Sequence, residues 1–414
     1  MGHTGIYYDE LETRSPEMRE NALLAALPQL VAHAKNNSPA YGRILENIEP
    51  QVITQRSALA QLPVTRKSEL LVLQKQHLPF GGFVTQATGE LARIFVSPGP
   101  IYDPESRATD YWRFARPLYS AGFRCGDVIQ NCFSYHFTPA ASMVEGGAAA
   151  LGCAVIPAGV GQTEMQAQTI AAVRPKGYVG TPSFLKIILE KGDELGLDLS
   201  SLKQGVVSAE PFPPSLQREF KDRGIDVYEC YATADLGMIA YQTAAREGLI
   251  VEEGVLVEIV RPGTGDPVAA GEVGEVVVTS FNEAYPLIRF ATGDLSAALP
   301  GVSPCGRTNM RIKGWMGRAD QTTKVKGMFV HPSQIAEVLR RHPEVQKGRL
   351  VVDNENARDR MRLSCEVASD DASLAKAIVE TMQSVCKLRG EVAFVKPGAL
   401  PNDGKVIDDV RTYE

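Results

Sequence analysis

Asp127-Val128-Ile129-Gln130-Asn131, Ala154-Val155-Ile156, Gly177-Tyr178-Val179, Gly205-Val206-Val207 and Asp226-Val227-Tyr228 are short apolar runs spaced along one third of the chain. The segments between them (139–151, 163–173, 182–196 and 213–223) carry helical spacing, and a further helix is expected over about 104–121. Strands alternating with helices predict a mostly parallel sheet with helices on its faces. Ligands on such sheets bind beyond the carboxyl ends of the strands. That rule places Ser208-Ala209-Glu210-Pro211 and Cys230-Tyr231-Ala232-Thr233-Ala234-Asp235 at one rim, because each is read as following a strand directly.

Outside this core the pattern changes twice. Met18, Leu23, Leu24, Leu27, Leu30, Val31 and Ala34 predict an amphipathic helix over 16–36, and Thr65 stands where a helix cap would precede Lys67-Ser68-Glu69-Leu70. From about 249 to 313, Val255–Val260 and Gly274–Thr279 are separated by Pro262-Gly263-Thr264-Gly265-Asp266, which reads as a β-rich, antiparallel subdomain with tight turns. After Gly317 a smaller α+β unit is expected, with helices over 332–341 and 371–388 and strands at 350–352 and 363–367. The fold class is therefore α/β: a large N-terminal domain over 1–317, its β-rich part at 249–317, and a small α+β domain over 318–414.

The 414 residues are 44% hydrophobic and 22% charged, which suits a globular chain with a large core. A net charge of -6 argues against nucleic acid and anionic membranes as partners. The seven cysteines form no C-x-x-C pair, so reduced thiols and a cytoplasmic location are expected. No basic segment leads into an apolar run at the N-terminus, and no stretch of about 20 apolar residues exists to span a bilayer.

Three elements in the last third carry chemistry. Asp294 follows a Thr-Gly turn, where a carboxylate can accept two hydrogen bonds from a ribose diol or cap its own turn. Gly317-Arg318-Ala319-Asp320 stands at the boundary into the small domain. Lys405 lies in the polar loop Pro401-Asn402-Asp403-Gly404-Lys405, where an ammonium could neutralise charge on a phosphate or simply be solvated. Tyr135-His136-Phe137 ends a strand and offers an aromatic wall or core packing.

The order and spacing of these marks, with Gly180-Thr181-Pro182-Ser183, Ala209-Glu210-Pro211, Pro286-Leu287-Ile288-Arg289-Phe290 and Gly327–Ile335, resemble the phenylacetate–coenzyme A ligase branch of the adenylate-forming superfamily over nearly the whole chain. The resemblance implies activation of a carboxylic acid by ATP to an acyl-adenylate, then thioester formation with coenzyme A, with a mobile C-terminal lid. It implies nucleotide contacts from Ser208, Ala209, Glu210, Pro211, Tyr231, Ala232, Thr233, Asp294 and Arg318. Lys405 and Asp235 become catalytic, Asp235 the magnesium-associated acid, Asp320 the hinge, and Tyr135, His136 and Phe137 an acyl pocket for an aromatic or apolar acid. The cofactors implied are ATP/AMP, Mg2+ and coenzyme A, and homodimers are common among such enzymes.

Four differences separate the chain from that pattern. Ser97-Pro98-Gly99-Pro100-Ile101-Tyr102-Asp103-Pro104 stands where a glycine/serine/threonine-rich phosphate loop is expected, and proline has no N–H to offer a phosphate. Ala234 replaces a hydroxyl residue and Ala291 a basic one. Thr243 and Ile250 replace a zinc-binding cysteine and histidine, so no zinc site is expected at Cys305. These departures keep open a divergent, ATP-impaired fold that senses a nucleotide or acyl-coenzyme A, or one that adenylates a different acceptor.

Overall fold

The computed structural model describes residues 5–411 except 320, 322, 326–327, 356–357 and 370. Asp320, the expected hinge, thus lies outside the described residues. The first long helix is Pro16–Asn37; Ser15 Oγ accepts from Met18 N at 3.1 Å, and proline occupies the first turn, where its missing N–H costs nothing. Its buried stripe is Leu27, Leu30, Val31 and Ala34, with the Arg19 guanidinium on Glu253 at 2.9 Å.

Two local expectations fail here. Thr65 is not a cap: Thr65–Arg66 form the short strand β1, Thr65 N donates to Arg289 O at 3.1 Å, and the helix Lys67–Gln76 starts without a side-chain cap. The helix over 104–121 shrinks to Ala115–Ser120. The residues before it form a hairpin of β2 (Arg93–Ser97) and β3 (Ile101–Glu105), in register Ser97↔Ile101 and Phe95↔Asp103. Asp110 and Arg113 take left-handed backbone (φ 47° and 62°), and the Asp110 carboxylate accepts from Phe114 N and Ala115 N, so helix cannot begin earlier.

The alternating stretch folds as read. β4 (Val128–Asn131), β5 (Ala154–Pro157), β6 (Gly177–Gly180), β7 (Gln204–Val207) and β8 (Asp226–Thr233) pair in parallel in the order β5-β4-β6-β7-β8. β9 (Gly237–Gln242) and β10 (Leu249–Val251) continue the sheet antiparallel. β11 (Val255–Val260), β12 (Gly274–Ser280) and β13 (Phe290–Ser296) join β1 in a separate four-stranded sheet. β14 (Ala298–Leu299) and β15 (Arg311–Ile312) complete the nine-stranded one, so the strands of 249–317 are shared between two sheets.

The chain forms two compact units: residues 1–257, 278–290 and 299–315, and residues 258–277, 291–298 and 316–414. In the first, Phe114, Leu118, Phe123, Ile129, Val144 and Met238 pack one core cluster of the large sheet, and Tyr178, Leu185, Ile188, Phe220 and Val227 pack another. Each such fully buried apolar side chain contributes about 1.5–3 kcal/mol. The second unit contains a sheet of β16–β17 (Thr323–Val325, Met328–Val330) and one of β18 (Lys347–Glu355), β19 (Arg358–Glu366), β20 (Glu391–Val395) and β21 (Ile407–Asp409), in the order β20-β19-β18-β21. Helices Pro332–Arg340 and Ala372–Cys386 close its core through Ile335, Val338, Ile378 and Met382 against Leu350 and Leu363. This is the α/β class with a C-terminal α+β part that the sequence predicted.

Gly147 shows how tightly the elements meet. It lies in the helix Ala140–Leu151, and a Cβ there would stand 2.6 Å from the Phe114 carbonyl carbon. Gly147→Ala is therefore expected to destabilise the protein by about 1–3 kcal/mol despite alanine's better helix propensity. Denaturant unfolding measures this, and an unchanged midpoint would show that the contact can relax.

Candidate active site

The parallel strands bring part of the predicted rim together in the first unit. Ser208 follows β7; its hydroxyl donates to Cys230 O at 2.9 Å, tying the ends of β7 and β8. Ala209, Glu210 and Pro211 are exposed, with Ala209 in left-handed backbone (φ 71°) and Glu210 Oε1 accepting from Ser183 N at 2.6 Å. Cys230 to Thr233 do not follow β8 as read. They are its last residues, because β9 returns immediately and extends the ladder, with an irregularity between Tyr231 and Ala232. Tyr231 is buried, Ala232 and Thr233 are half-buried, and the Thr233 hydroxyl accepts from Leu236 N at 3.2 Å across the turn that carries Asp235.

Asp235 is buried, and its Oδ2 accepts from Lys67 Nζ at 2.6 Å. Asp103 of β3 is also fully buried, with neither carboxylate oxygen in a well-formed hydrogen bond. Burial and the Asp235 carboxylate push the Asp103 carboxyl well above the usual range, against weaker pulls from the Ser97 hydroxyl and the Lys67 ammonium. Tyr285 is buried too, and burial first, then the charge of Asp235 and Asp103, drives its phenol upward. Glu105, on the same face of β3, is by contrast satisfied: it accepts from Trp112 Nε1 and Ser142 Oγ, each at 2.7 Å, and pairs with Arg93.

The expected acyl wall is a surface feature here. Phe137 is 64% exposed in left-handed backbone (φ 64°), with its ring edge-on to His136 at 4.8 Å. Tyr135 is also exposed; its hydroxyl accepts from Asn131 Nδ2 and donates to Glu145 Oε1, both at 2.9 Å. Phe137 O accepts from Val96 N, which fastens this segment to the β2 hairpin.

The remaining predicted residues lie in the second unit. Asp294 is buried on β13 and Arg318 Nη1 donates to its Oδ1 at 2.9 Å, while Ala319 N and Leu295 N knit 293–295 to 317–319. Gly293 permits this: its φ is 77°, and a Cβ would stand 2.7 Å from Arg318 Nη2. Lys405 Nζ donates to Asp408 Oδ1 at 2.8 Å. Its loop is pinned by Asn402 Oδ1 to Val273 N (3.1 Å), by Gln321 Oε1 to Val406 N and Ile407 N, and by Arg349 on Asp403. Lys405 lines a cavity of 610 Å³ with Arg261, Glu272, Lys347 and Glu366.

Asp235 and Asp103 make no seat for a magnesium ion. Mg2+ demands octahedral oxygen ligation and retains several waters. Asp235's side chain has no exposure and one of its oxygens is held by Lys67, so the residues present do not fit a hydrated metal ion. At Cys305 the thiol accepts from Ser303 Oγ at 3.1 Å, and among the described residues no cluster of three His, Cys, Asp or Glu side chains gathers to hold a metal.

Residues 106–282 match the model of the AMP-binding enzyme family and 327–410 that of the AMP-binding enzyme C-terminal domain. The phenylacetate–coenzyme A ligase of Thermus thermophilus is 31% identical across 94% of this chain and 92% of its own. The chain belongs to the AMP-binding enzyme family. The phenylacetate–coenzyme A ligase of Escherichia coli K12 is 29% identical over 97% of both chains. Among solved structures, an open conformation of 2-hydroxyisobutyryl-CoA ligase with 2-HIB-AMP and CoA has a TM-score of 0.73 at 24% identity, over 96% of this chain and 92% of that one, so the fold is shared.

Sequence reasoning missed Lys67, Asp103 and Tyr285. The only signal for Asp103 was an acid two residues before Glu105 in a segment read as loop and helix. Because the Asp103 pKa is raised in the folded protein, the folded state binds more protons than the unfolded one above the ordinary carboxyl value, and stability falls as pH rises through that window. Asp103→Asn removes the titration. Its melting temperature is expected to exceed the wild-type value at pH 8 and to converge with it toward pH 4, followed by calorimetry at both pH values.

Proposed function

We propose that this protein is an AMP-forming acid–coenzyme A ligase for an aromatic or apolar carboxylic acid. The observation that carries the reading is kinship along 94% of the chain with an enzyme named phenylacetate–coenzyme A ligase. In the first step an oxygen of the acid's carboxylate attacks the α-phosphorus of ATP, and pyrophosphate leaves. In the second the coenzyme A thiol, losing its proton to solvent, attacks the acyl carbon, and AMP leaves.

The side chains take roles that suit these steps. Ser208 to Pro211 and Tyr231 to Thr233 would border the adenine, with the exposed backbone of Ala209-Glu210-Pro211 available to its edge. Asp294 would accept from the ribose diol once Arg318, now on its Oδ1, turns to the nucleotide. Lys405 would exchange Asp408 for the oxygens between carboxylate and α-phosphate, where charge develops. Tyr135, His136 and Phe137 would meet the acyl group. Residues 318–414 would act as the lid between the half-reactions, turning at Asp320. ATP and coenzyme A are the substrates this assigns, and the free thiols suit the cytoplasm.

One observation favours a second reading. Pro98-Gly99-Pro100 links β2 to β3 and offers a single backbone N–H, which suits an adenylate better than a triphosphate. A protein that senses AMP or acyl-coenzyme A would bind AMP but not ATP by calorimetry and would turn neither over.

Pyrophosphate release with a panel of aryl and fatty acids tests the ligase. Acid-dependent release is expected, strongest with aryl acids, and its absence across the panel rejects the reading. Lys405→Ala is expected to reduce that release on the order of 10²–10³-fold with an unchanged melting temperature. Asp294→Ala is expected to weaken AMP binding by about tenfold, because the diol loses a charged acceptor, as read by calorimetry.

A further inference from the structure

The hairpin that stands in place of a phosphate loop delivers an acid to the site. Along β3 the side chains alternate, so Ile101, Asp103 and Glu105 share the buried face. Glu105 finds its donors; neither Asp103 oxygen makes a well-formed hydrogen bond, and its carboxyl feels the charge of Asp235. Two buried carboxylates thus act on one another, and Asp235 Oδ1 is also without a hydrogen bond. An arrangement of this kind needs a cation.

The cation present is Lys67. Its ammonium is a compact charge with three donors, one of them spent on Asp235 Oδ2 at 2.6 Å. The Lys67 side chain is 26% exposed, whereas Asp235 is sealed at its base. Solvent, and therefore an anionic ligand, reaches this cluster on the lysine side. A divalent ion on Asp235 would have to sit against a like charge and shed its waters.

We propose that Lys67 is a built-in counter-cation for the Asp103–Asp235 pair: it fills the place a divalent metal would take on Asp235 and presents the site's positive charge to the nucleotide phosphate. This rests on the reading of Asp235 as part of the nucleotide site. Magnesium then enters only as the solution partner of ATP's phosphates, not as an ion held by the protein.

Manganese binding, read from the paramagnetic resonance of the free ion, tests this with AMP present and ATP absent. Wild-type protein is expected to show no Mn2+ site that Asp235→Asn removes. Lys67→Met keeps the chain volume and deletes the charge. It is expected to gain a site about tenfold or more tighter than any in the wild type, lost again in the double variant with Asp235→Asn. A wild-type Mn2+ site abolished by Asp235→Asn overturns the proposal, as does a folded Lys67→Met protein that gains none. If Lys67→Met does not fold, the comparison of wild type with Asp235→Asn decides alone. No turnover enters the measurement. Failure of the ligase reading, seen as absent pyrophosphate release, is thus a separate result.

Discussion

A carboxylate sealed from water must be answered by donors or by opposite charge, and the rim of the large sheet is organised around that demand. Glu105 is answered by an indole, a hydroxyl and Arg93. Asp235 is answered by one ammonium. Asp103 is answered only at a distance, and its proton affinity rises accordingly. Breaking a buried pair by removing one partner typically costs about 3–5 kcal/mol, so the lysine also fixes where the helix Lys67–Gln76 begins relative to β8.

That demand separates what the sequence disclosed from what it concealed. The parallel core was legible because each strand is a short apolar run and each helix repeats at its own period; the observed β4 to β8 fall on the predicted runs, β8 running further. The hairpin at 93–105 was not legible. Its second strand contains Pro104 and two acids, a composition that speaks against a strand, and it is stabilised by partners outside the hairpin, Trp112 just beyond it and Ser142 further along the chain. Thr65 misled for a related reason: a residue fit to cap a helix was claimed by strand pairing with the segment at 289.

The candidate site was legible by residue type more than by environment. Asp294 and Arg318 were marked separately for the nucleotide, and in the structure they hold one another, because Gly293 lets the guanidinium lie across the turn. Lys405 was marked as a cation for a phosphate or for solvent; its ammonium is exposed and rests on the half-buried Asp408, while the loop that carries it is pinned at Asn402 and by Gln321. The aromatic trio was marked for a pocket, yet Phe137 faces outward. Its left-handed backbone turns it there, a feature no periodicity announces.

The turn Pro98-Gly99-Pro100 has an effect that reaches beyond its own shape. A cradle of peptide N–H groups grips an anion with fixed dipoles, which dissolved salt attenuates little. A turn with two prolines passes that duty to side-chain cations, whose field fades within about 8 Å at physiological ionic strength. On the proposed reading, an anion docked beside this turn would be held by forces that seawater would weaken and fresh water would sharpen.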